Sequence, residues 1–139
     1  MVTQNLRRWR DRGAAAVEFA LVVPLLILLI FGSIEFGLAV NARTMVGNAA
    51  REGVRMASLR YSPADVRAAA LSALSAVSGT KTVTYTCTTP GSSTCDPSAP
   101  GPNSVATVVV TVNYTGITGM FPQLTNATLT AKSYMRIEG

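Results

Sequence analysis

Few residues of this chain could do chemistry, and the most unusual of them is an acid inside an apolar segment. Glu18 lies in the stretch RGAAAVEFALVVPLLILLIFG (residues 12–32), five residues after Gly13 and directly before the aromatic Phe19. An unpaired acid inside a bilayer costs on the order of 2 to 3 kcal/mol on insertion scales, and an ion pair or hydrogen bond offsets part of that cost. The segment is therefore expected to contain a partner for Glu18 or a route to water.

Cleavage of the peptide bond after Gly13 would create such a partner. A glycine at the scissile bond suits a protease that binds the backbone in an extended form, because glycine adds no side-chain bulk and weakens a helix. Cleavage would free an α-amine on Ala14, one helical turn from Glu18. The carboxylate would then align subunits through its own or a neighbouring amine. The alternative is that Glu18 extends to the cytoplasmic headgroups without a partner.

The apolar segment is long enough to cross a membrane. From Ala14 to Val40 the only ionisable side chains are Glu18 and Glu35, and a helix of this length extends roughly 40 Å, against about 30 Å for the hydrocarbon core. We predict one transmembrane helix over residues 14–40. Glu35 is expected to reach the outer interface and to be solvated there, with no special role. Pro24 is tolerated in such a helix and permits a kink.

Basic residues before the helix indicate its direction. Four arginines crowd the short N-terminal arm, whereas the first positive charge beyond the helix is Arg43. The positive-inside rule therefore places the N-terminus in the cytoplasm and the rest of the chain outside it. The net charge of +5 arises largely from this arm. We interpret RRWRDR as a topology signal and expect no nucleic-acid partner.

Ordinary export signals fit this N-terminus less well. The apolar run is longer than the 7 to 15 residues of a secretory h-region, and GLAVNAR after it offers no clean small-x-small cleavage site. The RRW sequence hints at a twin-arginine signal, but the length of the run and its acid argue against that interpretation too.

The order of a basic leader, Gly13, four small or apolar residues, Glu18, Phe19 and a long apolar helix resembles the processing site of type IV prepilins. More closely, RGAAAVEFALVVPLLILLIFGSIEFG followed by NAAREGVRMAS resembles the TadE-like proteins, which are minor pilins or pseudopilins of the tight-adherence (Flp) pilus system. The resemblance extends over about residues 7–60. It implies that a prepilin peptidase cuts between Gly13 and Ala14, so that Glu18 becomes the fifth mature residue.

The same resemblance implies the other partners and favours a minor role. Other pilins and pseudopilins, the pilus assembly machinery in the membrane and the lipid bilayer would be the remaining partners. The aromatic residue after the acid is often tyrosine in Flp-type pilins, and here it is Phe19. This difference and the long exported part both favour a minor component over the major pilin.

The exported part predicts an α+β fold. Ser62 as N-cap, Pro63 and Asp65 begin a second helix over residues 63–78, which Gly79 closes. Stretches rich in valine, threonine and tyrosine predict strands over residues 81–88, 104–114 and 127–138, with a Pro/Gly/Ser loop over residues 89–103. The domains are thus a leader (1–13), the membrane helix (14–40), its continuation (41–61) and a small α+β domain (62–139) with an antiparallel sheet.

A stripe of small residues, Ala49, Gly53 and Ala57, lies on one face of the helix continuation. Such stripes permit close contact between helices. Two interpretations stay open: the stripe contacts the helix of another subunit, or it seats the chain's own exported domain.

Two cysteines, Cys87 and Cys95, lie in the exported part. An even pair outside the cytoplasm predicts a disulfide, and two free thiols are the alternative. No metal site is expected, because the chain contains no histidine to complete a four-ligand shell.

No constellation of residues indicates catalysis. The acids after the leader are scattered over predicted helices, a loop and the terminus, and the plentiful serines and threonines have no histidine base. We expect neither an enzyme nor a cofactor.

The sequence therefore predicts a subunit of the bacterial cytoplasmic membrane with a cytoplasmic N-terminus. The leading interpretation is a prepilin-like protein, cut after Gly13, that takes part in assembling an adhesive surface pilus. The alternative is an uncleaved single-pass anchor that displays a small binding or chaperone-like domain outside the membrane. Processing at Gly13 distinguishes the two.

Overall fold

A computed structural model describes residues 3–92, 94–116 and 127–137, with side chains from Gly13 onward. The chain forms helix α1 (Thr3–Ser58), helix α2 (Pro63–Ser72) and three strands, β1 (Gly79–Thr88), β2 (Val105–Tyr114) and β3 (Thr128–Arg136). The α+β architecture predicted from the sequence is confirmed. The three strands begin and end within two residues of their predicted bounds.

Helix α1 is 56 residues long and continues through Pro24 without a break. Its end is a Schellman motif, in which Tyr61 donates its N–H to the carbonyl of Met56 (3.2 Å) and Arg60 donates to that of Ala57 (3.1 Å). Arg60 takes the left-handed conformation that this motif requires, with φ of 61°. The chain thereby turns back and places α2 beside the last turns of α1.

Helix α2 begins where the sequence predicts and ends earlier. The Ser62 hydroxyl accepts from the Asp65 N–H (3.2 Å) and Pro63 occupies the first turn, as expected of an N-cap. The predicted extension to residue 78 is wrong, because α2 ends at Ser72. After it, turns with hydrogen bonds between residues i and i+3 place Leu74 and Val77 in the core. Gly79 does not close the helix; it starts β1 with a φ of 113°.

The strands form one antiparallel sheet in the order β1-β2-β3. The register pairs Val83 with Val110 and Val110 with Ala131. Both helices lie on one face of this sheet, where alternate strand residues meet α1 and α2 in a single core. The fully buried strand residues of this face include Tyr85, Ala106, Val108, Val110, Val112 and Tyr114.

The opposite face of the sheet is open among the described residues. We call it the threonine face, because nine of its members are threonines. All of its members are exposed or half-buried. They are Thr80, Thr82, Thr84, Thr86 and Thr88 of β1; Val105, Thr107, Val109, Thr111 and Asn113 of β2; and Thr128, Thr130, Lys132, Tyr134 and Arg136 of β3.

Candidate functional site

The first part of α1 stands free of the α+β domain. Residues 13–34 are exposed, apart from the half-buried Val23 and Gly32. At about 1.5 Å per residue this segment extends roughly 33 Å, close to the 30 Å of a hydrocarbon core. Its exposed side chains include Phe19 and Leu21, and the Ser33 hydroxyl donates to the carbonyl of Leu29 (2.8 Å). A long apolar helix with its one internal hydroxyl satisfied fits a membrane anchor.

The predicted processing residues all lie on this free segment. Gly13, Ala14, Glu18 and Phe19 are exposed, and a Cβ added at Gly13 would meet nothing within 4 Å. Ala14 and Glu18 lie one turn apart on the same helical face. Within the described residues the Glu18 carboxylate makes no hydrogen bond or ion pair. The arrangement leaves Glu18 accessible to a partner outside its own chain, and the roles assigned to these four residues stay predictions.

Glu35 corrects one expectation from the sequence. We expected a solvated side chain at the outer interface, but Glu35 is 0% exposed and is one of the largest fully buried side chains. Its neighbours in sequence, Ile34 and Phe36, are 51% and 61% exposed. The physical reason is helical phase: Glu35 lies seven residues before Ala42, on the face of α1 that packs on the α+β domain. Glu35 is thus the first α1 residue that the domain covers.

Burial and the charge of Glu35 both affect the pKa of Tyr114, at the end of β2. Burial raises the pKa of the Tyr114 phenol, and the negative charge of Glu35 raises it further. Tyr85 lies in the core as well, where burial alone raises its pKa. Glu35 and Tyr114 are thus two buried polar side chains that interact electrostatically where the free helix enters the domain.

The small-residue stripe of α1 seats the chain's own domain. Ala49 and Ala57 are 0% exposed, and Gly53 is buried between them. A Cβ built on Gly53 would lie 3.0 Å from Cγ1 of Val108 and 3.3 Å from Cβ of Ala70. This close approach to both β2 and α2 decides between the two interpretations that the sequence left open, because the stripe is already occupied within the monomer.

Cys87 and Cys95 form a disulfide, as the sequence predicts. Their Cα atoms lie 5.3 Å apart, and the Cys95 N–H donates to the Cys87 carbonyl (3.1 Å). Cys87 is buried at the end of β1, so the bridge fixes the loop after β1 to the core. It lies in the α+β domain, far along the chain from Glu18.

The spacing of residues along α1 contains a signal for the buried position of Glu35, which we did not predict. Glu35, Ala42, Val46, Ala49 and Gly53 are spaced by seven, four, three and four residues, which places them on one helical face. Reading that stripe backwards from the small residues would have included Glu35.

These features define a class of protein: a small α+β domain carried on one long helix whose free apolar part fits a membrane anchor. Within that class, residues 13–55 match the family model described as TadE-like protein. The match confirms the resemblance and covers about a third of the chain, from the first residue of the free segment to the stripe under the domain. The matched family is one of membrane proteins related to the Tad pilus, and it is structural rather than catalytic. No curated protein and no solved structure matches the chain.

Proposed function

We propose that this chain is a prepilin-like minor pilin or pseudopilin that takes part in assembling a Tad pilus after its leader is removed. The observation that carries the proposal is the start of the family match at Gly13, which is the point in the sequence where the arginine-rich arm ends and the apolar run of α1 begins. The basic arm before Gly13 then acts as the leader. The expectation that the chain is not an enzyme stays a prediction.

The cleavage step is hydrolysis of the peptide bond between Gly13 and Ala14. Water supplies a hydroxyl to the Gly13 carbonyl carbon and a proton to the Ala14 nitrogen, which leaves a carboxylate on the leader and an α-ammonium on the mature chain. Gly13 lies within α1, so the helix must open locally for the peptidase. Glycine lowers the cost of that opening by about 1 kcal/mol relative to alanine.

The new α-ammonium would supply the partner that Glu18 lacks among the described side chains. One helical turn separates Ala14 from Glu18, so the ammonium of the same or a neighbouring subunit reaches the carboxylate when helices lie side by side. Charge-assisted hydrogen bonds are stronger than neutral ones, and a low dielectric strengthens them further. Glu18 would thus align subunits, with Phe19 beside it on the helix surface.

The topology completes the proposal. The arginine-rich arm stays in the cytoplasm, where a prepilin peptidase reaches Gly13, and the α+β domain lies outside the cytoplasmic membrane. Other pilins or pseudopilins contact the free helix within the bilayer, and the assembly machinery extracts it. Exposure of the free segment, in which only Val23 and Gly32 are half-buried, supports such contacts.

The experiment that tests the proposal is intact-mass and N-terminal analysis of the membrane protein. In cells with a prepilin peptidase, the mature form should begin at Ala14, whereas Gly13→Leu should keep its leader because the side chain blocks the scissile site. If every wild-type copy keeps residues 1–13, the cleavage proposal is wrong.

The alternative is an uncleaved single-pass anchor that displays the exported domain. One observation favours it: α1 is continuous from Thr3 to Ser58, so the leader and the free segment form one unbroken helix. The same mass measurement decides between the two functions, because only the pilin-like protein loses its first thirteen residues.

A further inference from the structure

The threonine face is a regular surface of the α+β domain that no described element covers. Both helices occupy the other side of the sheet, so alternate residues of all three strands face outward. The five outward threonines of β1 make no hydrogen bonds through their hydroxyls within the described residues. Each hydroxyl can donate one hydrogen bond and accept two, so the strand presents a row of unused polar groups.

The charge of this face is one-sided. Lys132, Tyr134 and Arg136 alternate along β3, which places the two cations about 13 Å apart with the phenol between them. Tyr134 is 73% exposed. The register aligns it with Thr107 and Thr86, so the aromatic ring borders a row of hydroxyls. No described residue of this face carries a carboxylate.

The cations lie far from the free part of α1. Gly53 packs against Val108, which lies one residue from the partner of Lys132 in the sheet. Gly53 is about nineteen residues beyond the free segment, or roughly 28 Å along the helix axis. Headgroup layers are only about 5 to 8 Å thick on each side of the core. The Lys132–Arg136 pair is therefore out of reach of phospholipid headgroups when the free segment spans the bilayer.

We propose that the threonine face binds an extended acidic polysaccharide, with Lys132 and Arg136 contacting its carboxylates and Tyr134 stacking on a sugar ring. Charge complementarity selects an anionic ligand, and the hydroxyl rows match the hydroxyls of a sugar chain. A second copy of this face would bring like charges together. Protein interfaces are built around a buried apolar core, whereas the aliphatic side chains of this face are only Val105 and Val109, both already half-buried. Two cations are too few for the many phosphate contacts of a nucleic-acid complex.

The test measures binding of polygalacturonate oligosaccharides to the full-length chain in phosphatidylcholine nanodiscs. Lys132→Gln with Arg136→Gln should raise Kd at least tenfold, and Tyr134→Ala about fivefold. The matched control is Arg51→Gln with Arg67→Gln, which removes the same charge from exposed positions on the two helices and should change Kd less than twofold. The fully methyl-esterified oligosaccharide should bind at least tenfold more weakly than the acid.

Several results would overturn the proposal. Binding that is absent at millimolar ligand contradicts it, as does equal loss in both double variants, which would mean general charge attraction. Polyglutamate that binds as tightly, with no loss in Tyr134→Ala, would assign the face to an acidic protein instead. Thermal unfolding of each variant checks its fold. The uncleaved chain carries the same face, so this test succeeds or fails independently of leader removal.

Discussion

Two glutamates of α1 interrupt apolar sequence and occupy opposite environments. Glu18 is exposed on the free segment, whereas Glu35 is fully buried at the point where the domain begins to cover the helix. Each glutamate is linked to a different neighbour of the helix. Glu18 is proposed to align one subunit with another, and Glu35 lies close enough to Tyr114 to raise the pKa of its phenol. The same residue type would thus act between chains at Glu18, whereas at Glu35 it acts within the chain.

The charge of Glu35 leads to a titration prediction. Glu35→Gln removes the negative charge that raises the pKa of Tyr114, so this pKa should fall towards the value that burial alone sets. Ultraviolet titration of tyrosinate formation measures it, with Tyr114→Phe identifying the transition. The pKa of Tyr85 should not move, because its shift arises from burial alone. An unchanged Tyr114 transition would show that Glu35 does not act on it.

At the scale of elements, α1 has two parts with different tasks. Its first part is free and apolar, and its second part forms one side of the domain core through Ala49, Gly53 and Ala57. The close approach at Gly53 fixes the height of the domain above the free segment. Any subunit contact made by the free helix therefore also sets the position of the exported sheet.

Two glycines of α1 provide a matched test of this seat. A Cβ at Gly47 would meet nothing within 4 Å, so Gly47→Ala should raise the free energy of unfolding by about 1 kcal/mol through helix propensity. Gly53→Val should lower it by about 1 to 3 kcal/mol, because its Cβ meets Val108 and Ala70. Denaturant unfolding of the detergent-solubilised chain measures both. Equal effects at the two positions would contradict the packing described.

The disulfide is a second element-scale constraint. Replacing both Cys87 and Cys95 with alanine should lower the free energy of unfolding by about 2.5 kcal/mol, through loss of the closed loop. In protein from its native compartment, neither thiol should react with an alkylating reagent before reduction. Complete alkylation of both cysteines without reductant would mean that the bridge does not form there.

The sequence predicted the elements better than their ends. The strands were predicted from the alternation of valine and threonine. The start of α2 at Pro63 was predicted because the Ser62 N-cap signal is local. Its end at Ser72 was not predictable locally, since residues 73–78 contain no helix breaker and burial of Leu74 and Val77 decides their path. The candidate site was located by local spacing around Gly13 and Glu18. The burial of Glu35 depends on a sheet that forms much later in the chain.

At the scale of the whole molecule, the chain combines two parts. The described free segment of α1 packs on nothing in the α+β domain, whereas the second part of α1 is already packed against β2 and α2. The free segment exposes many large apolar side chains, and exposing so large an apolar surface to water is unfavourable. We therefore expect lipid or other helices to cover these side chains. The domain's own helix seat is already occupied by β2 and α2. Assembly contacts are therefore expected on the free segment, with Glu18 as their one ionisable group.

The measurement that tests this account most directly is pilus assembly by a Glu18→Ala variant, quantified beside the amount of Ala14-starting protein in the membrane. The substitution makes the free helix more apolar, so insertion and the exported domain should stay intact. Assembly, or co-purification with partner pilins, should be lost, and Glu18→Gln should be impaired to an intermediate degree because it keeps hydrogen bonding without charge. Normal assembly by fully processed Glu18→Ala protein would contradict the proposed pairing between Glu18 and the mature N-terminus.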